Sequence, residues 1–158
     1  MKLYATLTPE EIKDAEFHGK KQHSKSYYKK DSDVVNHIIG KMAEYAYAKV
    51  TGQIVNNEFF KYCGDGGIDF PDGTQVKCRD WPYDNVEMPI DEKSYNNEKV
   101  TNYALFYIDK KNYKKGDVYI RGIVSKKSVI LKKSKSKFKD KNGNFKKTMF
   151  LKDFDTIY

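Results

Sequence analysis

Cysteine is scarce in this chain, with 2 in 158 residues, and two thiols cannot supply a disulfide framework. A reducing cytosol is therefore the expected compartment. Arginine is scarcer than the charge suggests: Arg79 and Arg121 are the only two among 30 basic side chains. No stretch approaches the roughly 20 apolar residues that a bilayer crossing needs, so no membrane partner is expected. The apolar run within residues 1–9 is too short for a secretory signal. Prolines number 4, and no Pro-rich or Gly/Ser-rich linker or internal repeat divides the chain. A single domain over residues 1–158 is the expectation, with a core at about 31–125 and a basic segment at 126–158. What the chain does have is 39% hydrophobic and 15% aromatic residues, enough to fill a core and to argue against wholesale disorder.

The formal net charge of +8 is unevenly spread. Residues 126–147 hold ten lysines and one acid, a net +9, which leaves the other 136 residues at −1. A nearly neutral body with one strongly basic segment points to a polyanion-facing surface. Lysine is a flexible point charge, suited to phosphate contacts rather than bidentate base reading. The candidate nucleic-acid contacts in this segment are Lys126, Lys127, Lys132, Lys133, Lys135, Lys137 and Lys139. A solvated lysine hairpin that aids solubility, or a membrane-surface contact, would use the same residues. Few Arg beside many Lys, Asn, Ile and Tyr also resembles the coding bias of an AT-rich genome, and so associates the chain with a bacterium or a phage-infected host.

Local patterns order the rest. Thr8-Pro9-Glu10-Glu11 has a capping residue, proline at the first helical position and Glu at N3, and so predicts a helix running to about residue 21. Residues 18–30 read mostly as a polar loop. Asp31-Ser32-Asp33 caps a stronger helix that ends at Gly52, with Val35, Ile38, Ile39, Met42, Ala46 and Val50 at helical spacing. Short β patterns follow at 58–62, 67–70, 74–79, 103–108 and 117–125, with another at 129–131. A loop and short helix near 91–99 fit the Pro- and Asn-containing stretch between 81 and 102. Asn142-Gly143 signals a hairpin turn, so the basic segment reads as a β-ribbon. The order predicts an α/β (α+β) fold, a mixed central sheet flanked by helices.

The stretch Gly64-Asp65-Gly66-Gly67-Ile68-Asp69-Phe70-Pro71-Asp72-Gly73-Thr74-Gln75-Val76-Lys77 carries the chemistry. Pro71-Asp72-Gly73 suits a three-residue hairpin loop with glycine in the left-handed position. That loop pairs Phe70 with Thr74, Asp69 with Gln75, Ile68 with Val76 and Gly67 with Lys77. Alternation then places Asp69, Gln75 and Lys77 on one face and Ile68 and Val76 on the other. Asp and Gln oxygens, with the Val76 backbone carbonyl, form a donor set for a hard cation such as Mg²⁺. Lys77 would orient a nucleophile or balance developing charge. The glycines at 64, 66 and 67 clear room for a sugar-phosphate backbone.

These residues resemble the PD-(D/E)XK, or restriction-endonuclease-like, nucleases. That family places an Asp on one strand of a hairpin, acid-x-Lys on the next, and a Glu on the preceding helix. Asp69 matches the Asp, Gln75-Val76-Lys77 the acid-x-Lys, and Glu44, within Gly40-Lys41-Met42-Ala43-Glu44, the helical acid. The resemblance spans roughly residues 36–80. It implies an αβββαβ core with the basic ribbon attached, and Mg²⁺- or Mn²⁺-dependent hydrolysis of DNA phosphodiester bonds. Asp69, Gln75, the Val76 carbonyl and Glu44 would hold the metal, and Glu44, Asp69, Gln75 and Lys77 would be catalytic. DNA would be the partner, with a homodimer for cutting both strands. Gln75 departs from the motif acid and removes one negative charge from the site, and Ile68 replaces the motif proline.

Other candidates carry plainer readings. Asp65 reads as a turn residue among glycines. Cys63 and Cys78 with His18, His23 and His37 lack the paired spacing of a zinc set, so core thiols and surface imidazoles are expected. Tyr27-Tyr28-Lys29-Lys30 suits a nucleic-acid clamp and a solvated loop equally. Trp81 reads as a packing residue, with base stacking the alternative. Arg79, two residues beyond Lys77, is a candidate phosphate contact. From other classes, a non-catalytic nucleic-acid-binding module and an interaction protein for an acidic partner both fit the charge.

Overall fold

The structure, a computed structural model, describes residues 1–25, 33–57, 69–82, 87–89, 95–128, 132–133 and 147–150. It is a mixed α+β fold in which four strands form the main sheet: β1 (Lys2–Thr6), β2 (Thr74–Arg79), β4 (Asn102–Tyr107) and β5 (Asp117–Ser125). They lie in the order β1-β5-β4-β2. β1 and β4 are antiparallel to β5, whereas β2 is parallel to β4. A parallel pair cannot be joined by a tight turn, and the connection here takes residues 80–101. β3 (Glu87–Pro89) leaves that crossover to pair with β7 (Lys147–Phe150), which pairs in turn with β6 (Lys132–Lys133). Antiparallel pairing of β6 with β7 agrees with a basic ribbon. The Asn142-Gly143 turn, Lys135, Lys137, Lys139, the 58–62 and 129–131 strands, Gly67 and Ile68, Asp65, Cys63, Tyr27-Tyr28-Lys29-Lys30 and residues 91–94 of the short helix lie outside the described residues. No helix among the described residues is long and apolar enough to cross a membrane.

Both helices begin and end where their sequence chemistry directs, with one extension. In α1 (Pro9–Lys25) the expected capping box is formed. Glu11 N–H donates to Thr8 Oγ1 at 3.2 Å, and Thr8 N–H donates to Glu11 Oε2 at 2.7 Å. Glu11 also receives Lys49 Nζ at 2.9 Å, tying the start of α1 to the end of α2 (Val34–Thr51). Asp33 caps α2 by accepting from Val35 N–H at 2.9 Å, and Gly52 closes it at φ 73°. α1 runs four residues past the expected end at 21, because its polar second half packs on α2. The His23 and His37 rings lie 5.0 Å apart there, which leaves His37 half-buried rather than on the surface as expected.

The crossing of the two helices is tightest at Gly19. A Cβ at that position would lie 2.7 Å from Ile38 Cα and 2.9 Å from Ile38 N. Helix propensity alone would favour alanine by about 1 kcal/mol, yet the clash is with backbone, which cannot rotate aside. Gly19→Ala is expected to lower stability by about 1–3 kcal/mol, the usual range for overpacking. Urea denaturation checks this; a rise in midpoint would show that the helices can part without cost.

Burial, reinforced by the neighbouring His23, lowers the pKa of His37 from its ordinary 6.5. The unfolded imidazole therefore takes up a proton at a higher pH than the folded one. Its contribution is complete above the unfolded value near 6.5 and is lost as pH falls toward the folded value. The melting temperature is expected to fall between about pH 7.5 and about pH 5.5, where histidine titrates. His37→Gln should flatten that dependence; an unchanged slope would remove His37 as its source.

α2 supplies more of the described core than any other element. Ile38, Ile39, Met42, Ala43, Ala46 and Tyr47 join Ile12 and Ala15 of α1 against Phe70, Ala104, Phe106, Val118 and Ile120. Asp33, at the start of α2, bridges to Lys110 just past β4 at 3.1 Å. Tyr47, near its end, reaches Asp72 just ahead of β2 at 2.7 Å. α2 therefore runs antiparallel to β2 and β4. Both described helices cover the same face of the sheet. The other face carries the fully buried Tyr103 and Leu105, and strand alternation places Gln75, Lys77 and Arg79 on it.

Candidate active site on strand β2

The hairpin turn ahead of β2 has the expected chemistry. Gly73 N–H donates to the Phe70 carbonyl at 3.0 Å, Phe70 N–H donates to the Thr74 carbonyl at 3.2 Å, and Gly73 has φ 84°. Phe70 therefore lies opposite Thr74, as the three-residue loop requires. Asp69 N–H, however, donates to the same Thr74 carbonyl at 3.3 Å and residues 69–70 are not in a strand, so the expected strand pairing of Asp69 with Gln75 is not formed. Beyond that point the ladder differs. In a regular ladder Val76 N–H would donate to the carbonyl of residue 68; here it donates to Asp69 Oδ2 at 2.7 Å. A hydrogen bond to a carboxylate is stronger than one to a neutral carbonyl, so the side chain takes the place of the ladder acceptor. The Asp69 carboxylate is thereby drawn against the outer edge of β2.

Backbone alternation decides what else lies along that edge. The Thr74 carbonyl is bonded to Phe70, so the N–H and C=O groups of Thr74 and Val76 point outward. The Val76 carbonyl thus shares an edge with the Asp69 carboxylate. Gln75 is buried and Lys77 half-buried on the face away from the helices. Three consecutive residues thus offer an amide, a carbonyl and an ammonium group along β2, and the Asp69 carboxylate meets the middle one at its N–H.

Glu44 lies one turn before Tyr47 on α2. Tyr47 Oη meets Thr74 Oγ1 at 3.0 Å, and three helical residues advance about 4.5 Å. α2 packs on the face opposite to Gln75 and Lys77, so Glu44 approaches β2 from the helix-covered side and is not brought together with those two side chains. Its carboxylate receives Lys41 Nζ at 2.5 Å, and Lys41 also donates to the Asn56 carbonyl at 3.2 Å. Among the described residues no three His, Cys, Asp or Glu side chains gather as a metal-ligand group. The oxygen donors of Asp69, Gln75 and Val76 are nonetheless of the type that Mg²⁺ or Mn²⁺ takes. They bring one formal negative charge, since Gln75 is neutral.

The residues that hold this strand in place have no local signature. Tyr47 Oη donates to Asp72 Oδ2 at 2.7 Å, Gln53 Nε2 donates to the same oxygen at 2.8 Å, and Thr74 N–H donates to Asp72 Oδ1 at 2.9 Å. Burial works to raise the Asp72 pKa, but hydrogen bonds from Tyr47, Gln53 and Thr74 outweigh it and hold the carboxyl below its usual range. Thr101 clamps the turn from the other side, its N–H donating to the Gly73 carbonyl at 2.8 Å. Only the Asp72 turn role was legible beforehand; its partners lie 19 and 25 residues away.

The remaining candidates divide. Arg79 is half-buried at the end of β2, on the same face as Lys77. Lys126, expected to contact nucleic acid, is partly buried and donates to the Asn97 carbonyl at 2.9 Å, so its ammonium braces the crossover instead. Lys127 is exposed, and Lys132 and Lys133 lie on β6. Cys78 is a free thiol packed against the core, its pKa raised strongly by burial, which keeps it unreactive. Trp81, expected to pack, is 47% exposed instead.

No family model matches the chain, no curated protein matches it, and no solved structure matches its fold.

Proposed function

We propose that the chain is a Mg²⁺- or Mn²⁺-dependent endodeoxyribonuclease with Asp69, Gln75, Val76 and Lys77 at its centre. The observation that carries this reading is the Asp69 carboxylate drawn to the β2 edge at Val76 N–H, 2.7 Å away, Val76 being the residue between Gln75 and Lys77 in the strand. A mixed sheet with α2 packed against β2 is consistent at the coarse α+β level with the fold that the PD-(D/E)XK resemblance implies. Asp69, Gln75 and the Val76 carbonyl would hold the ion, with Glu44 contributing once Lys41 yields it. The bound ion would activate water and neutralise charge on the phosphate. Lys77, on the same strand, would place a positive charge where negative charge develops on the phosphoryl oxygens. The basic β6–β7 segment would hold the duplex through its phosphates, and two copies would serve for cleavage of both strands.

A second reading is favoured by one observation. Glu44, the helical acid of the motif, is held by Lys41 at 2.5 Å. That fits a non-catalytic nucleic-acid-binding module with the same architecture. Incubation with supercoiled, linear and four-way-junction DNA in Mg²⁺, Mn²⁺ or EDTA separates the two. Cleavage that requires metal is the expected result; salt-sensitive binding without cleavage in any metal supports the module.

A further inference from the structure

The fold brings both arginines of the chain to one end of the sheet face that the described helices leave uncovered. Arg79, Tyr107 and Tyr119 form a row across β2, β4 and β5, with the two tyrosine rings 6.0 Å apart. Arg121 enters through a bulge: Leu105 pairs with Gly122 and Phe106 with Ile120, so Arg121 is the extra residue between them. Arg121 is buried, 7% exposed as a residue, and its Nη1 donates to the Trp81 carbonyl at 3.0 Å. Burying a guanidinium is costly, and what this one fixes is the backbone of Trp81. Trp81 is the only tryptophan, and it is held with its side chain about half exposed.

Exposed tryptophan beside buried arginine is a poor arrangement for packing and a good one for stacking. Lys77 and Arg79 precede Trp81 at two-residue intervals, about 6.6 Å apart along the strand. Sites for single-stranded nucleic acid combine such a cationic track with an aromatic platform, because every base has a π-face to stack. Asp80 is the acid next to the platform, and the two cations on the strand outnumber it.

We infer that Trp81 is a stacking platform for an unpaired DNA base, with Lys77 and Arg79 following the adjoining phosphates. The inference rests on the nuclease reading for the role of Lys77, and deepens it by naming the substrate class as DNA with a single-stranded segment. Because Trp81 is the only tryptophan, its emission reports on this position alone. The intact chain, in EDTA to prevent cleavage, is titrated with oligo(dT) and with a blunt duplex of equal length. Oligo(dT) is expected to quench the emission and the duplex to leave it nearly unchanged. Trp81→Ala should weaken oligo(dT) binding by about 5- to 150-fold, the loss of one stacked base, with Trp81→Phe restoring part of it and duplex binding unaltered.

Unquenched emission at saturating oligo(dT), or equal quenching by duplex, overturns the inference, as does Trp81→Ala binding within twofold of the parent. Metal-dependent duplex cleavage without quenching rejects the platform and leaves the nuclease reading standing. Selective quenching without cleavage in any metal does the reverse.

Discussion

Lys77→Ala is expected to lower metal-dependent DNA cleavage by a factor of about 10²–10⁴, the range for removing a charge-stabilising or proton-handling group. DNA binding should change only severalfold, since many lysines share the phosphate contacts. The reason is positional: Lys77 is anchored on β2 by its parallel pairing to Leu105, so its backbone is fixed relative to Val76, which meets the Asp69 carboxylate, whereas lysines of the basic segment are interchangeable. Asp69→Asn is the companion variant. An asparagine oxygen can still accept from Val76 N–H, which Asp69 does at 2.7 Å, so the fold is preserved while the negative charge is lost. A comparable fall in cleavage, partly relieved by raising the Mn²⁺ concentration, would place the defect in metal binding. Cleavage by either variant at the parent rate would remove this strand from the chemistry.

Gly73→Ala carries the largest expected effect on stability. At φ 84° an alanine would sit in the left-handed region, at a cost of about 1–2 kcal/mol. Its Cβ would also lie 2.7 Å from the Lys99 carbonyl oxygen, with the Thr101 hydroxyl closer still. Overpacking adds about 1–3 kcal/mol, so the sum is about 2–5 kcal/mol in a protein whose whole stability is of order 5–15 kcal/mol. Gly52 is the internal control: it has φ 73°, but nothing stands within 4 Å of an added Cβ. Gly52→Ala should cost only the backbone part, about 1 kcal/mol. Urea midpoints of the two variants check the difference. Equal losses would mean that the contact with residues 99–101 yields freely.

How much of this was legible varies with the range of the interactions involved. α2 and β2 came out between the bounds that capping residues and turn chemistry set, and β5 is Asp117–Ser125 as its alternation predicts. These depend on neighbours in sequence. α1 ran long because its second half is stabilised by α2, and Gly19, which weakens a helix locally, is what allows that packing. β1 was not anticipated: five residues with a bulge show little alternation, and pairing with residues 117–120 is what makes them a strand. β3 and β7 likewise exist through each other. At the site, the turn register and the shared face of Gln75 and Lys77 were readable from period two. The reach of the Asp69 carboxylate to Val76 N–H was not, because a side chain substituting for a ladder carbonyl leaves no trace in a hydrophobic pattern. Nor was Trp81: apolar character suggests burial, and only the Arg121 contact shows that it is held outward.

The pairing of β1 with β5 also sets an order of events. Thr6 bonds to Asp117 across 111 residues of chain, whereas α1 and α2 meet through a short connection and β4 joins β5 through a short 3-10 segment at Lys110–Lys115, kinked at Asn112. Entropy favours closing the short loops before the long one. Helical hairpin and strand hairpin can assemble as the chain leaves the ribosome, at about 5–20 residues per second. β1 has no partner in the sheet until residues 117–120 have been synthesised. Of the four strands of the main sheet, β1 is therefore the last to dock, against a core that the helices and the other three strands have already formed.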